Sequence, residues 1–149
     1  MYLGGIPFAA TAQAVQPVRW NVKAEPYNND QVSIIITASL DEGWHIYSQF
    51  MEEGGPMPTS FVFDQNSHYE LIGKTEEHSE PVEKFDDTFM MPVIWFENKA
   101  VFIQRIQLHE DAAVVKGSVE FMACMDDICL LPEKKRFSVE VNDKQIRTQ

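Results

Sequence analysis

The chain carries two cysteines, Cys124 and Cys129, with Met125, Asp126, Asp127 and Ile128 between them. Two thiols this close along a chain can join if a turn brings their Cα atoms to within about 4.4–6.8 Å. Such a pair can be a structural bridge, a pair of buried free thiols, or a bond that is made and broken in use. A bridge closing so small a ring is worth only about 2 kcal/mol. A chain of 149 residues can also bury a core without one. The two aspartates between the sulfurs favour exposure over burial. A short, exposed disulfide is the readily exchanged kind, but a spacing of four is far less diagnostic than C-x-x-C. On the residues alone, bridge and exchanging pair both stay open.

Other residues offer rival chemistry. Met122 and Met125 adjoin the cysteines, and Met90 and Met91 precede them, so soft sulfur of the type that selects Cu(I) is present. These methionines follow no regular repeat, and methionine is a common filler of cores. A Cu(I) carrier therefore rests on ligand type without ligand spacing. His45, His68, His78 and His109 lack the paired spacing of a zinc site. No G-x-S-x-G occurs, and the aspartate pairs come without a nucleophile arrangement, so a hydrolase has little support. Neither a metal nor a cofactor is expected. The formal net charge is −11, and a surface of that sign repels phosphate backbones, which argues against a nucleic-acid partner.

The elements that must hold the cysteines read as strands. Val18, Trp20, Val22 and Ala24 alternate with Arg19, Asn21 and Lys23. Val32 to Ala38 is β-branched and nearly continuous, as in a strand buried on both faces. Trp44, Ile46, Ser48 and Phe50 oppose His45, Tyr47 and Gln49. Phe61 to Phe63 is a short strand, and Val93 to Phe96 and Ala100 to Leu108 flank a turn-like triplet, as in a hairpin. Ala113 to Phe121 and Phe137 to Val141 alternate again. No segment of ten residues has apolar spacing at three and four, so no substantial helix is expected. About eight short strands at this spacing predict an all-β, antiparallel, immunoglobulin-like β-sandwich.

Three stretches interrupt the alternation: Glu52 to Pro58, the long polar run Lys74 to Phe89, and Met122 to Pro132, which holds both cysteines. Long loops on a rigid scaffold are where function concentrates. One domain is expected over residues 15–145. Residues 1–14 are apolar and end in small-x-small patterns (Ala10-Thr11-Ala12, Ala12-Gln13-Ala14). They read as the remnant of an export signal, or as an N-terminal arm packed on the domain. Export would put the cysteines in an oxidising compartment, where a disulfide persists.

The stretch Phe121-Met122-Ala123-Cys124-Met125-Asp126-Asp127-Ile128-Cys129-Leu130-Leu131-Pro132-Glu133 resembles the active-site hairpin of the N-terminal periplasmic domain family of DsbD, the transmembrane thiol:disulfide interchange protein. Proline and an acid close behind the second cysteine are the specific part. Gly43-Trp44-His45-Ile46-Tyr47-Ser48 is similar to that family's aromatic-rich, glycine-led strand, and Phe85-Asp86-Asp87-Thr88-Phe89 to its acidic-aromatic cap loop. The likeness runs over roughly residues 16–142. Three departures stand out. One residue fewer separates the cysteines, Leu130 replaces an aromatic, and His45 takes the place of a second tyrosine.

The resemblance implies an electron relay without a cofactor. A thioredoxin-like donor domain would reduce the Cys124–Cys129 disulfide, and the dithiol would reduce oxidised extracytoplasmic proteins. Cys129 would be the outer sulfur that forms mixed disulfides and Cys124 the one that resolves them. Phe89, with Phe85, would close over Cys129 as an apolar lid beside Asp87, the alternative for Phe89 being plain core packing. Tyr47 and His45, on the face opposite Trp44 and Ile46, would flank the disulfide, the alternative for His45 being a plain surface position. Localisation would be periplasmic, either free-standing or tethered to a membrane electron transporter. The remaining rival is a non-enzymatic interaction module of sandwich type with a structural disulfide, because fold alone says little about function.

Overall fold

The computed structural model describes residues 15–142. The expected leader or arm over residues 1–14 lies outside them, as does the end of the expected domain beyond residue 142. Where the sequence alternates, the chain extends. The first strands are β1 (Val18–Asn28), β2 (Gln31–Leu40), β3 (His45–Tyr47) and β4 (Ser60–Phe63). Next come β5 (Tyr69–Glu77), β6 (Val82–Asp86), β7 (Met91–Glu97) and β8 (Lys99–Leu108). The last four are β9 (Ala112–Phe121), β10 (Ala123–Met125), β11 (Ile128–Cys129) and β12 (Glu133–Asn142). Among the described residues there is no helix, and each ladder is antiparallel.

The strands form two layers. One is the sheet β1-β2-β8-β5. The other joins the three-stranded sheet β12-β9-β4 to the five-stranded sheet β11-β10-β3-β7-β6. Val32, Ile34, Ile36 and Ala38 from β2, Phe102 and Ile106 from β8, and Val115, Val119 and Phe121 from β9 meet between the layers. Trp20 lies among Phe61, Phe102 and Phe121, with ring centroids 6.4, 6.2 and 5.2 Å away. Burial of these side chains, at roughly 1.5–3 kcal/mol each, is what holds the layers together. The architecture is an all-β, immunoglobulin-like sandwich.

Four expectations need correction. Val93–Phe96 and Ala100–Leu108 are not partners in a hairpin: β7 ladders with β3 and β6, whereas β8 ladders with β2 and β5. The chain changes layers at Asn98, whose φ of 66° lies in the left-handed region that asparagine tolerates. Lys74 to Phe89 is not a loop. It contains the end of β5 and all of β6, edge strands whose exposure explains their polar composition. The strand expected over Trp44–Phe50 is laddered only at His45–Tyr47, and all three of those residues are buried. Beyond Tyr47, the Glu77 carboxylate accepts hydrogen bonds from Ser48 Oγ at 2.8 Å and from the Gln49 amide at 2.7 Å. Side-chain anchoring there replaces the ladder. In β2 the odd-numbered face is only partly covered, not fully buried as the continuous run suggested.

Candidate thiol–disulfide site

Phe121 ends β9, and one residue later β10 begins, so the cysteine hairpin is an extension of a core strand. Cys124 stands opposite Cys129 and Met125 opposite Ile128. Asp126 and Asp127 form the two-residue turn between them. Asp126 takes φ 53°, a conformation that tight hairpin turns require and aspartate tolerates. Direct opposition sets the two Cα atoms 4.0 Å apart, and the sulfurs are bonded at 2.06 Å. Gly43 packs under the turn with φ 88°, and a Cβ there would stand 3.2 Å from Met125 Sδ.

Side chains alternate across β10, which has two consequences. Ala123 faces the main core with its ladder partner Ile46 and with Phe96. Cys124 faces the other way, into a separate cluster with Tyr47, Val93, Trp95, Met51, Met91 and Met122. Cys124 has 0% exposure, whereas Cys129 at the outer edge is exposed. One sulfur is sheltered and its partner is presented to solvent.

His45 is the ladder partner of Cys124 on one side and of Glu97 on the other. Its ring stacks on Trp95 with centroids 4.1 Å apart, and meets Tyr47 edge-on at 5.2 Å. His45 Nε2 and the Tyr47 hydroxyl lie 3.1 Å apart. Trp95 donates through Nε1 to Glu97 at 2.9 Å, and Lys84 Nζ sits 5.3 Å from the Trp95 ring. Burial holds the His45 ring below its ordinary titration range, with Glu97 opposing and Lys84 adding to the effect. Burial pushes the Tyr47 hydroxyl up to about 12, with help from Asp86, so it keeps its proton.

Beside this cluster opens a cleft of roughly 510 Å³. One wall is Gly43, His45, Tyr47, Trp95 and Glu97. The other is the β6–β7 hairpin from Lys84 to Thr88, and Asp126 and Asp127 close the end. Asp86 Oδ1 accepts from the Thr88 and Phe89 amides at 2.8 and 3.0 Å, an Asx turn that fixes the hairpin tip.

Of the residues singled out from sequence, Cys124 and Cys129 are joined, and His45 and Tyr47 share the disulfide's face of the sheet. Phe85 and Asp87 line the cleft. Phe89, 42% exposed, lies at the tip just past the lining residues. His45, for which a plain surface position was the alternative, is buried at 7% exposure. Met91 and Met122 pack in the cluster with Cys124, while Met90 is exposed at the hairpin tip. Among the described residues, no group of three or more His, Cys, Asp or Glu side chains is arranged to hold a metal ion. Trp95, Glu97 and Lys84 went unnoticed in the sequence. The alternation of Val93, Trp95 and Glu97 opposite Ile94 and Phe96 was the available signal, and the supposed hairpin with β8 masked it.

Fold and site together define a β-sandwich domain that presents a hairpin disulfide beside an aromatic cluster. The chain belongs to the family of the N-terminal domain of the thiol:disulfide interchange protein DsbD, which it matches over residues 10–141. In fold it is similar to the N-terminal periplasmic domain of ScsB from Proteus mirabilis, with a TM-score of 0.58 and 15% identity, over 93% of this chain and 56% of that one. It is also similar to the DsbD N-terminal domain of Neisseria meningitidis in the reduced form, with a TM-score of 0.55 and 15% identity, over 91% of this chain and 95% of that one. The chain thus spans little more than half the length of the ScsB domain. No curated protein sequence matches it. Family membership implies thiol–disulfide exchange chemistry, with thiol–disulfide proteins as its partners. No helix among the described residues is long and apolar enough to cross a membrane.

Proposed function

We propose that this chain is a periplasmic electron relay, whether free-standing or part of a larger membrane protein. A thioredoxin-like donor attacks Cys129, Cys124 is released, and the donor's second thiol completes the reduction. The dithiol then reduces an oxidised acceptor protein outside the cytoplasm through Cys129. The carrying observation is the asymmetry of the pair, with Cys124 fully buried and Cys129 exposed. Exchange needs one sulfur open to in-line attack and one held back to resolve the mixed disulfide. In the disulfide form Phe85, Phe89 and Cys129 are all exposed; the cover is a second position of the β6–β7 hairpin tip, in which Phe89 and Phe85 close over Cys129 once the pair is a dithiol.

The test is the reduction potential of the Cys124/Cys129 couple, measured by equilibration with a thioredoxin-like dithiol protein. A relay gives a value near or above about −250 mV with rapid exchange, and a structural bridge gives one below about −300 mV. The same exchange assay on Phe89→Ala tests the cover. Faster oxidation of the dithiol by a small oxidant is expected, and an unchanged rate removes Phe89 from the site.

A further inference from the structure

His45 is one of the three points at which this chain departs from the pattern it resembles, and the ladder places it directly across from Cys124. Directly opposite residues of an antiparallel pair carry their side chains on one face, with Cβ atoms about 4.5–5.5 Å apart. The histidine therefore neighbours the buried sulfur, the one that becomes the leaving group when Cys129 is attacked. A thiolate released into a buried, apolar cluster is costly unless a partner offsets its charge. We propose that His45 is the positioning residue for that sulfur, stabilising the charge that develops on Cys124 Sγ and taking up the accompanying proton. This inference rests on the relay reading for its biological use, though not for its chemistry.

The step balances as follows. A thiolate of a dithiol reductant bonds to Cys129 Sγ, the Cys124–Cys129 bond breaks, and its electron pair stays on Cys124 Sγ. The charge draws a proton from solvent onto the imidazole, whose Nε2 pairs with the Tyr47 hydroxyl in the resting state. The reductant's second thiol gives up its proton and displaces Cys129, which is protonated in turn. The reductant becomes a disulfide, and both protons end on the domain.

The other charged groups around the ring are Glu97 of β7, Lys84 and Asp86 of β6, and Asp126 of the cysteine turn. The three carboxylates favour a protonated imidazole, and Lys84 opposes it. In the disulfide form burial outweighs them and the ring is neutral at neutral pH. A negative sulfur on the neighbouring rung tips the balance toward the imidazolium. A purely structural histidine, stacked on Trp95, would have no reason to respond to the state of the sulfurs.

Ring-proton NMR of the intact chain, recorded against pH in the disulfide form and again after reduction with dithiothreitol, decides the matter. His45 is expected to titrate at higher pH in the dithiol form than in the disulfide form. His45→Tyr keeps an aromatic ring for Trp95, and it should slow reduction by dithiothreitol roughly three- to tenfold and flatten its pH profile. Equal His45 titration in the two redox states overturns the proposal, as does a His45→Tyr profile that superimposes on the parent. The NMR comparison needs no variant to fold and no protein partner. It therefore stands apart from the potential measurement that tests the relay itself.

Discussion

A histidine buried neutral ties the stability of the disulfide form to pH in a definite direction. The folded-state pKa of His45 lies below the ordinary 6.5 because burial penalises the charged ring, so the unfolded chain binds the extra proton more readily. Stability is therefore undiminished above about 6.5 and falls as pH drops below it, levelling off beneath the folded-state value. Urea midpoints measured at pH 7.5 and 5.5 should show a loss on acidification that is smaller in His45→Asn. An equal loss in both proteins would assign the acid sensitivity to the carboxylates instead. At this scale the cysteines were legible because their count and spacing are informative without a partner. His45 was legible only as a residue of interest. Its burial depends on the stacking of Trp95 and on Tyr47, two strand positions that no local pattern could bring to it.

The cysteine hairpin works as an element because its turn, its ladder and its support agree. Asp126 adopts the left-handed conformation, β10 pairs on both sides, and Gly43 leaves room for Met125. Replacing Gly43 with alanine imposes a backbone conformation that side chains avoid and crowds the Met125 sulfur, at a cost of about 1–3 kcal/mol. Denaturant unfolding should show that loss, together with a change in Trp fluorescence near the hairpin. A Gly43→Ala protein of parental stability would mean that the turn tolerates a displaced Met125. Sequence alternation located the long strands well, because their two faces differ in burial. It missed β5 and β6, and it found β7 but gave it the wrong partner. Edge strands look polar throughout, and the choice of ladder partner is made by contacts distant in the chain, as when β7 leaves β8 for β3.

At the scale of the molecule, the net charge of −11 has a local counterpart in the cleft. Asp86, Asp87, Glu97, Asp126 and Asp127 face it against Lys84. A thiol approaching Cys129 crosses a negative field, which raises the encounter rate of cations and lowers that of anions. Reduction by cysteamine should outpace reduction by an anionic thiol of matched reactivity at low salt. The gap should close at high ionic strength, where the screening length falls to about 3 Å. Equal rates at low salt would show that the cleft is no electrostatic funnel. The sandwich class was readable from strand count and spacing. The division of the second layer into two sheets was not, because a single non-ladder residue, Met122, marks it.

Cys124 belongs to the outer cluster, while its chain neighbour Ala123 belongs to the main core, so the boundary between the two falls within one peptide. Opening the bond acts first on the outer cluster, while Ala123 stays tied to Ile46 and the main core. A protein that distinguishes the oxidised from the reduced domain is then expected to read the hairpin and its surroundings rather than the sandwich behind them.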